Sequence, residues 1–339
     1  MKNEKLRVKD GRCPYPIYPV IGGAYPKLFT LHFSLFTSQK GIIMTGIILL
    51  DKPKDITSFG AVARVRRICG EKKCGHTGTL DPMATGVLTI MLGGATRFCE
   101  LLPSHDKAYI ASFRLGTVTD TLDITGKVLE TREVNVTAEQ VKEKIKGFIG
   151  EISQLPPMYS AVSVDGQRLY DLARQGIEVE RKARNVTVFS IEVLYENEQA
   201  GEYQISVECS SGTYIRTLIS DLGEALGCGA VMTELRRTRA NGFDIENAVP
   251  LEQLAEAAEN GMLGETVMPV DKALEEYPII MVTAAQAKRF RNGGELDLQR
   301  LKYPRMIGFF RIYDPDGNFI GLGEIGCGDS LAVKRVFVG

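Results

Sequence analysis

From Met44 onward the sequence predicts an α+β fold, with a mixed or largely antiparallel sheet flanked by helices and a small closed β-barrel unit behind it. Three observations carry that expectation. Strand-type and helix-type segments succeed one another without the regular alternation of a doubly wound parallel sheet. Past Tyr277-Pro278 the pattern changes to short apolar runs, with six glycines between Gly308 and Gly328. At 339 residues, the chain is also long enough for about two domains at ~150 residues each.

Residues 45–50 read as a buried strand ending in the Asp51-Lys52-Pro53 turn. Ser58 is the expected N-cap of a helix reaching about Cys69, with Phe59, Val62, Val65 and Ile68 on one face. Arg64, Arg66, Arg67, Lys72 and Lys73 make a basic cluster beside it. Residues 87–92 form a continuous apolar run of strand type, 96–102 look helical, and 109–115 alternate as a strand does. Thr137 opens a short helix, with Gln140 placed for a capping box. After Pro156-Pro157, residues 158–164 read as a strand, Asp165-Gly166 as a tight turn and 169–175 as a helix stopped by Gly176. Residues 186–194 and 203–209 read as paired strands, and Ser210-Ser211-Gly212-Thr213 starts a helix ending at Gly227. A helix at 251–260 precedes the strands 306–313, 319–325 and 332–338 of the barrel unit. The domain boundary is placed near 277, giving a main domain over 44–277 and a small one over 278–339.

Residues 1–43 differ from the rest. Pro14, Pro16, Pro19 and Pro26 mark loop or weakly ordered chain, and the apolar stretch at 28–36 comes too late, without a cleavage site, for a signal peptide. The expectation is an N-terminal extension that is dispensable, with the functional protein beginning near Met44. The composition, 44% hydrophobic and 24% charged, is that of a globular protein and excludes collagenous, disordered and disulfide-scaffold classes. Every apolar run falls short of the ~18 residues a spanning helix needs, so no membrane association is expected. With 41 Lys plus Arg against 42 Asp plus Glu, any nucleic-acid surface has to be local. Seven scattered cysteines without a CxxC pair point to a reducing cytoplasm.

Common catalytic signatures are missing: there is no GxxxxGK[ST], GxGxxG after a strand, HExxH or GxSxG. Cys69, Cys74 and His76 lie close together, but their spacing matches no usual zinc pattern, and no metal site is expected. The unusual peptide is Gly75-His76-Thr77-Gly78-Thr79-Leu80-Asp81-Pro82-Met83-Ala84-Thr85-Gly86. Three glycines and a proline around one carboxylate describe a rigid loop that lets a ligand approach main chain while presenting Asp81. Spacing alone also suits a plain turn at Asp81-Pro82 with His76 as a cap.

This peptide resembles the catalytic motif of the TruB family of tRNA pseudouridine synthases. The family's further peptides follow in order: Leu50-Asp51-Lys52-Pro53, Lys107-Ala108-Tyr109, Pro157-Met158-Tyr159-Ser160-Ala161, Gly212-Thr213-Tyr214-Ile215-Arg216 and Leu235-Arg236-Arg237. The resemblance runs from about Met44 to Gly339, with a tail similar to the PUA domain of bacterial members. It implies a pseudouridine-synthase-type sheet, a PUA-like RNA-binding domain over 278–339, and isomerisation of uridine 55 in the T loop of tRNA. Asp81 matches the essential aspartate. Tyr109 matches the aromatic that stacks on the base and acts as a base late in the reaction, and Arg216 matches the arginine that pairs with the aspartate. Tyr214 and Leu235 match residues lining the uracil, His76 a residue that holds the RNA open, and Lys52 a support behind the site.

The chemistry agrees with these roles. An adjacent guanidinium opposes the desolvation of a buried nucleophilic carboxylate, and an extruded base needs an aromatic face to rest on. Whether Asp81 adds to C1′, adds to C6 or removes the 2′ proton stays open. The resemblance also implies no cofactor, a tRNA T-arm stem-loop as partner, no obligate protein partner and a cytoplasmic monomer. Arg64, Arg66, Arg67, Lys72 and Lys73, with Arg168, Arg174, Arg181, Lys182, Arg184, Lys288, Arg289 and Arg291, are the expected phosphate-facing charges. The alternatives are the guide-RNA-dependent branch of the family and a non-catalytic RNA-binding factor.

Overall fold

The computed structural model describes residues 44–164 and 166–338, so the expectations for residues 1–43 and for Asp165 lie outside the described residues. β1 (Gly46–Lys52) is buried along its whole length apart from a half-buried Asp51, as a strand covered on both faces must be. α1 (Ser58–Cys69) is capped by Thr57, whose hydroxyl accepts from the Gly60 amide at 2.9 Å, and closed by Gly70 at φ 65°. The expected cap is thus displaced by one residue. Ser58 is the first helical residue and turns its hydroxyl inward to the backbone of Leu80. That rotation sets the inner face as Ser58, Ala61, Val62 and Val65 and leaves Phe59, expected inside, 77% exposed.

β2 (Cys74–His76) and β3 (Thr85–Leu92) bracket the glycine-rich loop. A 3-10 segment over 93–101 leads to β4 (Lys107–Leu115), which alternates as expected. α2 (Ala138–Lys146) carries the expected capping box between Thr137 and Gln140. β5 (Gly150–Gln154) follows. The strand expected over 158–164 shrinks to Ser163–Val164, because the backbone at 158–161 bends to close the turn Ser160 N to Met158 O. α3 (Leu169–Arg174) precedes the long hairpin of β6 (Arg184–Asn197) and β7 (Glu202–Cys209). α4 (Ile215–Leu226) starts later than expected, since Ser210 to Thr213 form a side-chain-closed turn with Thr213 Oγ1 donating to Ser210 O. β8 (Ala230–Ala240), β9 (Val249–Pro250), α5 (Leu251–Glu259) and α6 (Val270–Ala273) complete this part.

The main sheet runs β9-β1-β3-β8-β4-β7-β6-β5, with β2 beside β3. All these neighbours are antiparallel except β9/β1 and the central β3/β8 seam. At that seam the strands press together at Gly86, where a Cβ would stand 2.1 Å from the Arg237 carbonyl oxygen and φ is +102°. Only glycine fits there. One core packs α2 and α4 on the β4–β7–β8 region, and another packs α1 and α5 on β1 and β3.

β10 (Ile279–Met281), α7 (Ala284–Arg291), β11 (Leu296–Asp297), β12 (Gly308–Tyr313), β13 (Phe319–Ile325) and β14 (Ser330–Val336) build a half-barrel sheet ordered β10-β12-β13-β14-β11 around its own core. It is also joined to the main sheet. Phe98 meets Phe319 and Phe337 at 6.0 and 6.1 Å, in a cluster that includes Ile47, Tyr277 and Leu322. No helix among the described residues is long and apolar enough to cross a membrane.

Candidate active site

Three buried side chains fix the loop that presents Asp81. Ser58 Oγ accepts from the Leu80 amide at 2.8 Å and donates to the Leu80 carbonyl at 2.9 Å. Lys52 Nζ donates to the carbonyls of Pro53, Ile56 and Pro82. Arg237 donates to those of Val87, Gly78 and Thr79. Backbone carbonyls are thus gathered on fixed cations behind the loop, which leaves the carboxylate to face forward.

It faces Arg216, in the first turn of α4. Arg216 Nε lies 2.9 Å from Asp81 Oδ2 and Nη2 lies 3.2 Å from Oδ1, a two-point contact. The same guanidinium donates to the carbonyls of Thr121 and Tyr159, and Nη1 sits 3.6 Å from Oδ2 of the buried Asp123. Asp123 is in turn held by the hydroxyls of Thr121 and Thr125 and the Thr125 amide. Gln154, buried on β5, clamps the residue before α4: its amide oxygen accepts from Tyr214 N at 3.0 Å and its NH2 donates to Tyr214 O at 3.3 Å. Asp123 and Gln154 escape a sequence reading because Arg216 and Tyr214, which they hold in place, lie 60 or more positions away. The one local signal is the Thr121-Leu122-Asp123-Ile124-Thr125 spacing, which suits hydroxyls folding onto a central carboxylate.

Asp81, Tyr109, Tyr214, Arg216 and Leu235 line a single cavity of about 240 Å³, together with Leu80, Lys107, Ser160 and Thr213 among others. That is below the ~300–1,000 Å³ of pockets for drug-sized ligands and suits one base-sized ring. Lys52 and His76 do not line it. Lys52 is fully buried with its amine committed to the loop, which places it behind the site rather than on a substrate. His76 stands on β2, half-buried, with Nδ1 enclosed and, among the described residues, unpartnered. Of the expected phosphate-facing cations, Arg291 is tied to the buried Asp314 and Arg181 to Glu178 and the Pro156 carbonyl. Arg168 and Arg174 both lie over the Tyr170 ring.

Burial pushes the Asp81 carboxyl up from the usual range, Arg216 and Lys52 draw it back, and Asp123 pushes it further up. Burial raises the Tyr109 phenol, with Arg237 opposing. Burial also lowers the His76 imidazole and brings Lys52 down to about 8, with Arg237 adding to both effects and Asp81 and Asp55 opposing at Lys52. The result is an aimed carboxylate whose charged form is supported by a guanidinium, beside an aromatic face in an enclosure. That arrangement can attack, or take a proton from, a flat neutral ring system and its attached sugar.

Comparison with known proteins gives the family. Residues 66–215 match the TruB family pseudouridylate synthase N-terminal domain, 216–275 the tRNA pseudouridylate synthase B C-terminal domain and 278–337 the pseudouridine synthase II TruB C-terminal domain. The chain is 45% identical to tRNA pseudouridine synthase B of Ectopseudomonas mendocina (strain ymp) over 297 residues, 86% of this chain and 94% of that protein. To the protein of the same name from Escherichia coli (strain K12) it is 40% identical over 310 residues, 88% and 97% of the two chains. Among solved structures, "Crystal Structure of a Cbf5-Nop10-Gar1 Complex" aligns at TM-score 0.66 and 29% identity over 86% of this chain and 85% of that one. "Structure of H/ACA RNP bound to a substrate RNA containing 2'-deoxyuridine" aligns at TM-score 0.65 and 25% identity over 96% and 98%. With family matches across nearly all the described residues and the carboxylate, arginine and aromatic residues gathered in one cavity, the chain belongs to the TruB family of pseudouridine synthases.

Proposed function

We propose that this enzyme isomerises uridine 55 in the T loop of tRNA to pseudouridine, with Asp81 as the essential carboxylate. The observation that carries the reading is the two-point contact between Asp81 and Arg216 at a base-sized cavity walled by Tyr109, Tyr214 and Leu235. The uridine leaves its stack, and loop bases suit this because they are already partly unstacked. Tyr109 receives the ring. Asp81 acts at C1′, at C6 or on the 2′ proton, the N1–C1′ bond breaks, the uracil turns in the cavity, and C5 bonds to C1′. The C5 proton is then removed, with Tyr109 as the nearby base, while N1 ends protonated. Atoms and electrons balance without an external reagent.

The half-barrel over 278–339 is assigned as a PUA-like RNA-binding domain, and residues 1–43 as a dispensable extension. On the same reading the enzyme is a stand-alone cytoplasmic monomer that needs no protein partner. His76 acts on the RNA outside the cavity. The test is tritium release from a tRNA transcript labelled at C5 of uridine. Release that requires both Asp81 and the T-loop uridine is expected, so Asp81→Asn binds tRNA without turnover. Equal release from a transcript lacking that uridine overturns the target, and release by Asp81→Asn overturns the assignment of the carboxylate.

A further inference from the structure

The cavity wall holds a cation that the protein itself does not use. Lys107 opens β4 two residues before Tyr109, so the two side chains share the face that lines the cavity, ~6.8 Å apart along the strand. Tyr109 is buried, and Lys107 is half-buried at the strand's start. The neighbouring cations are all engaged: Arg216 with Asp81 and two carbonyls, Arg237 with three carbonyls and Lys52 with three more. Among the described residues, Lys107 Nζ makes no hydrogen bond or ion pair. Burial and the facing Arg237 lower its pKa, while Asp106, exposed on the preceding turn, and Cys209 draw it back. Across from it stands Gly78, where an added Cβ would lie 3.5 Å from Lys107 Cε and 3.8 Å from Nζ. The absence of a side chain at that position keeps the approach to the amine open.

A half-desolvated ammonium beside a guanidinium calls for an anion. Of the parts of an extruded uridine nucleotide, the base and ribose are neutral, and only the phosphodiester carries a full charge. Base-to-phosphate reach within one nucleotide matches the separation of neighbouring same-face positions on a strand. We infer that Lys107 binds the phosphodiester adjoining the uridine that enters the cavity, so that β4 holds one nucleotide at two points, base on Tyr109 and phosphate on Lys107. This deepens the proposed function and rests on it.

The test uses the full chain, wild type, Lys107→Met and Lys107→Arg. The substrates are T-arm stem-loops in which the phosphate 5′ or 3′ of the target uridine is singly replaced by a neutral methylphosphonate. On the native stem-loop, Lys107→Met loses about ten- to a hundredfold in kcat/KM, the span of one charge-assisted hydrogen bond, and Lys107→Arg restores most of it. One of the two methylphosphonates costs the wild type a similar factor but costs Lys107→Met almost nothing further. Undiminished activity of Lys107→Met, or equal losses for wild type and Lys107→Met on both neutral linkages, overturns the inference. If the wild type makes no pseudouridine in the native stem-loop, the function on which the inference rests fails first, and that outcome is read separately.

Discussion

Replacing Ser58 with alanine tests how the loop that presents Asp81 is held. The hydroxyl makes two hydrogen bonds, at 2.8 and 2.9 Å, to the amide and carbonyl of Leu80, and the residue is only 2% exposed. The Ser58→Ala variant leaves both backbone groups buried without partners, at ~1–3 kcal/mol for each such loss, against a few tenths recovered from alanine's better helix propensity. The net cost is about 2–5 kcal/mol, or roughly 4–20 °C in Tm, taking ~2–4 °C per kcal/mol for a domain of this size class. Leu80 directly precedes Asp81, so the carboxylate loses its fixed distance to Arg216 as well. A displacement of ~1 Å is enough to lower the rate about a hundredfold. Thermal unfolding and single-turnover tritium release read the two effects separately, with tRNA affinity unchanged because Ser58 is turned into the protein and away from any RNA. A variant that melts with the wild type and turns over at its rate would refute the claim that this hydroxyl positions the loop.

Asp123→Asn removes a negative charge that raises the Asp81 pKa, so the Asp81 carboxyl ionises at lower pH. If the reaction uses ionised Asp81 as proposed, the rise of single-turnover rate with pH shifts toward acid, whatever the plateau height; an unmoved or alkaline-shifted profile contradicts the linkage. Gly86→Ala places a Cβ 2.1 Å from the Arg237 carbonyl oxygen at φ +102°, whereas at Gly75 nothing lies within 4 Å. The first is expected to be insoluble or to melt far below the wild type and the second to melt with it, as thermal scans will show. Phe98→Ala empties the contact with Phe319 and Phe337 and costs about 3–5 kcal/mol. Limited proteolysis should then cut near 278 faster than in the wild type; equal cutting rates would mean that the two sheets are held together elsewhere.

The elements legible in the sequence are those whose signals are local. β4 alternates because one face meets a core, β3 is largely apolar and buried from Gly86 to Leu92 because it is covered on both sides, and α2 starts after Thr137 because its capping box lies within four residues. Two of the misplaced segments are decided by distant partners. Phe59 faces outward because Ser58 is drawn to Leu80, and residues 158–161 bend toward Arg216, which takes the Tyr159 carbonyl, instead of extending as a strand.

The same division runs through the site. The loop 75–86 stands out in the linear sequence, the family resemblance picks out Asp81, Tyr109, Tyr214, Arg216 and Leu235, and the cavity contains all five. Only the tertiary structure separates His76 from that cavity and brings in Asp123 and Gln154, and only it sets Lys107, which the sequence shows merely as the start of a motif peptide, in the cavity wall. Side-chain type and short spacing show which chemistry a segment can perform. Which charge faces which depends on strand register and helix rotation, and those follow from packing across the whole chain.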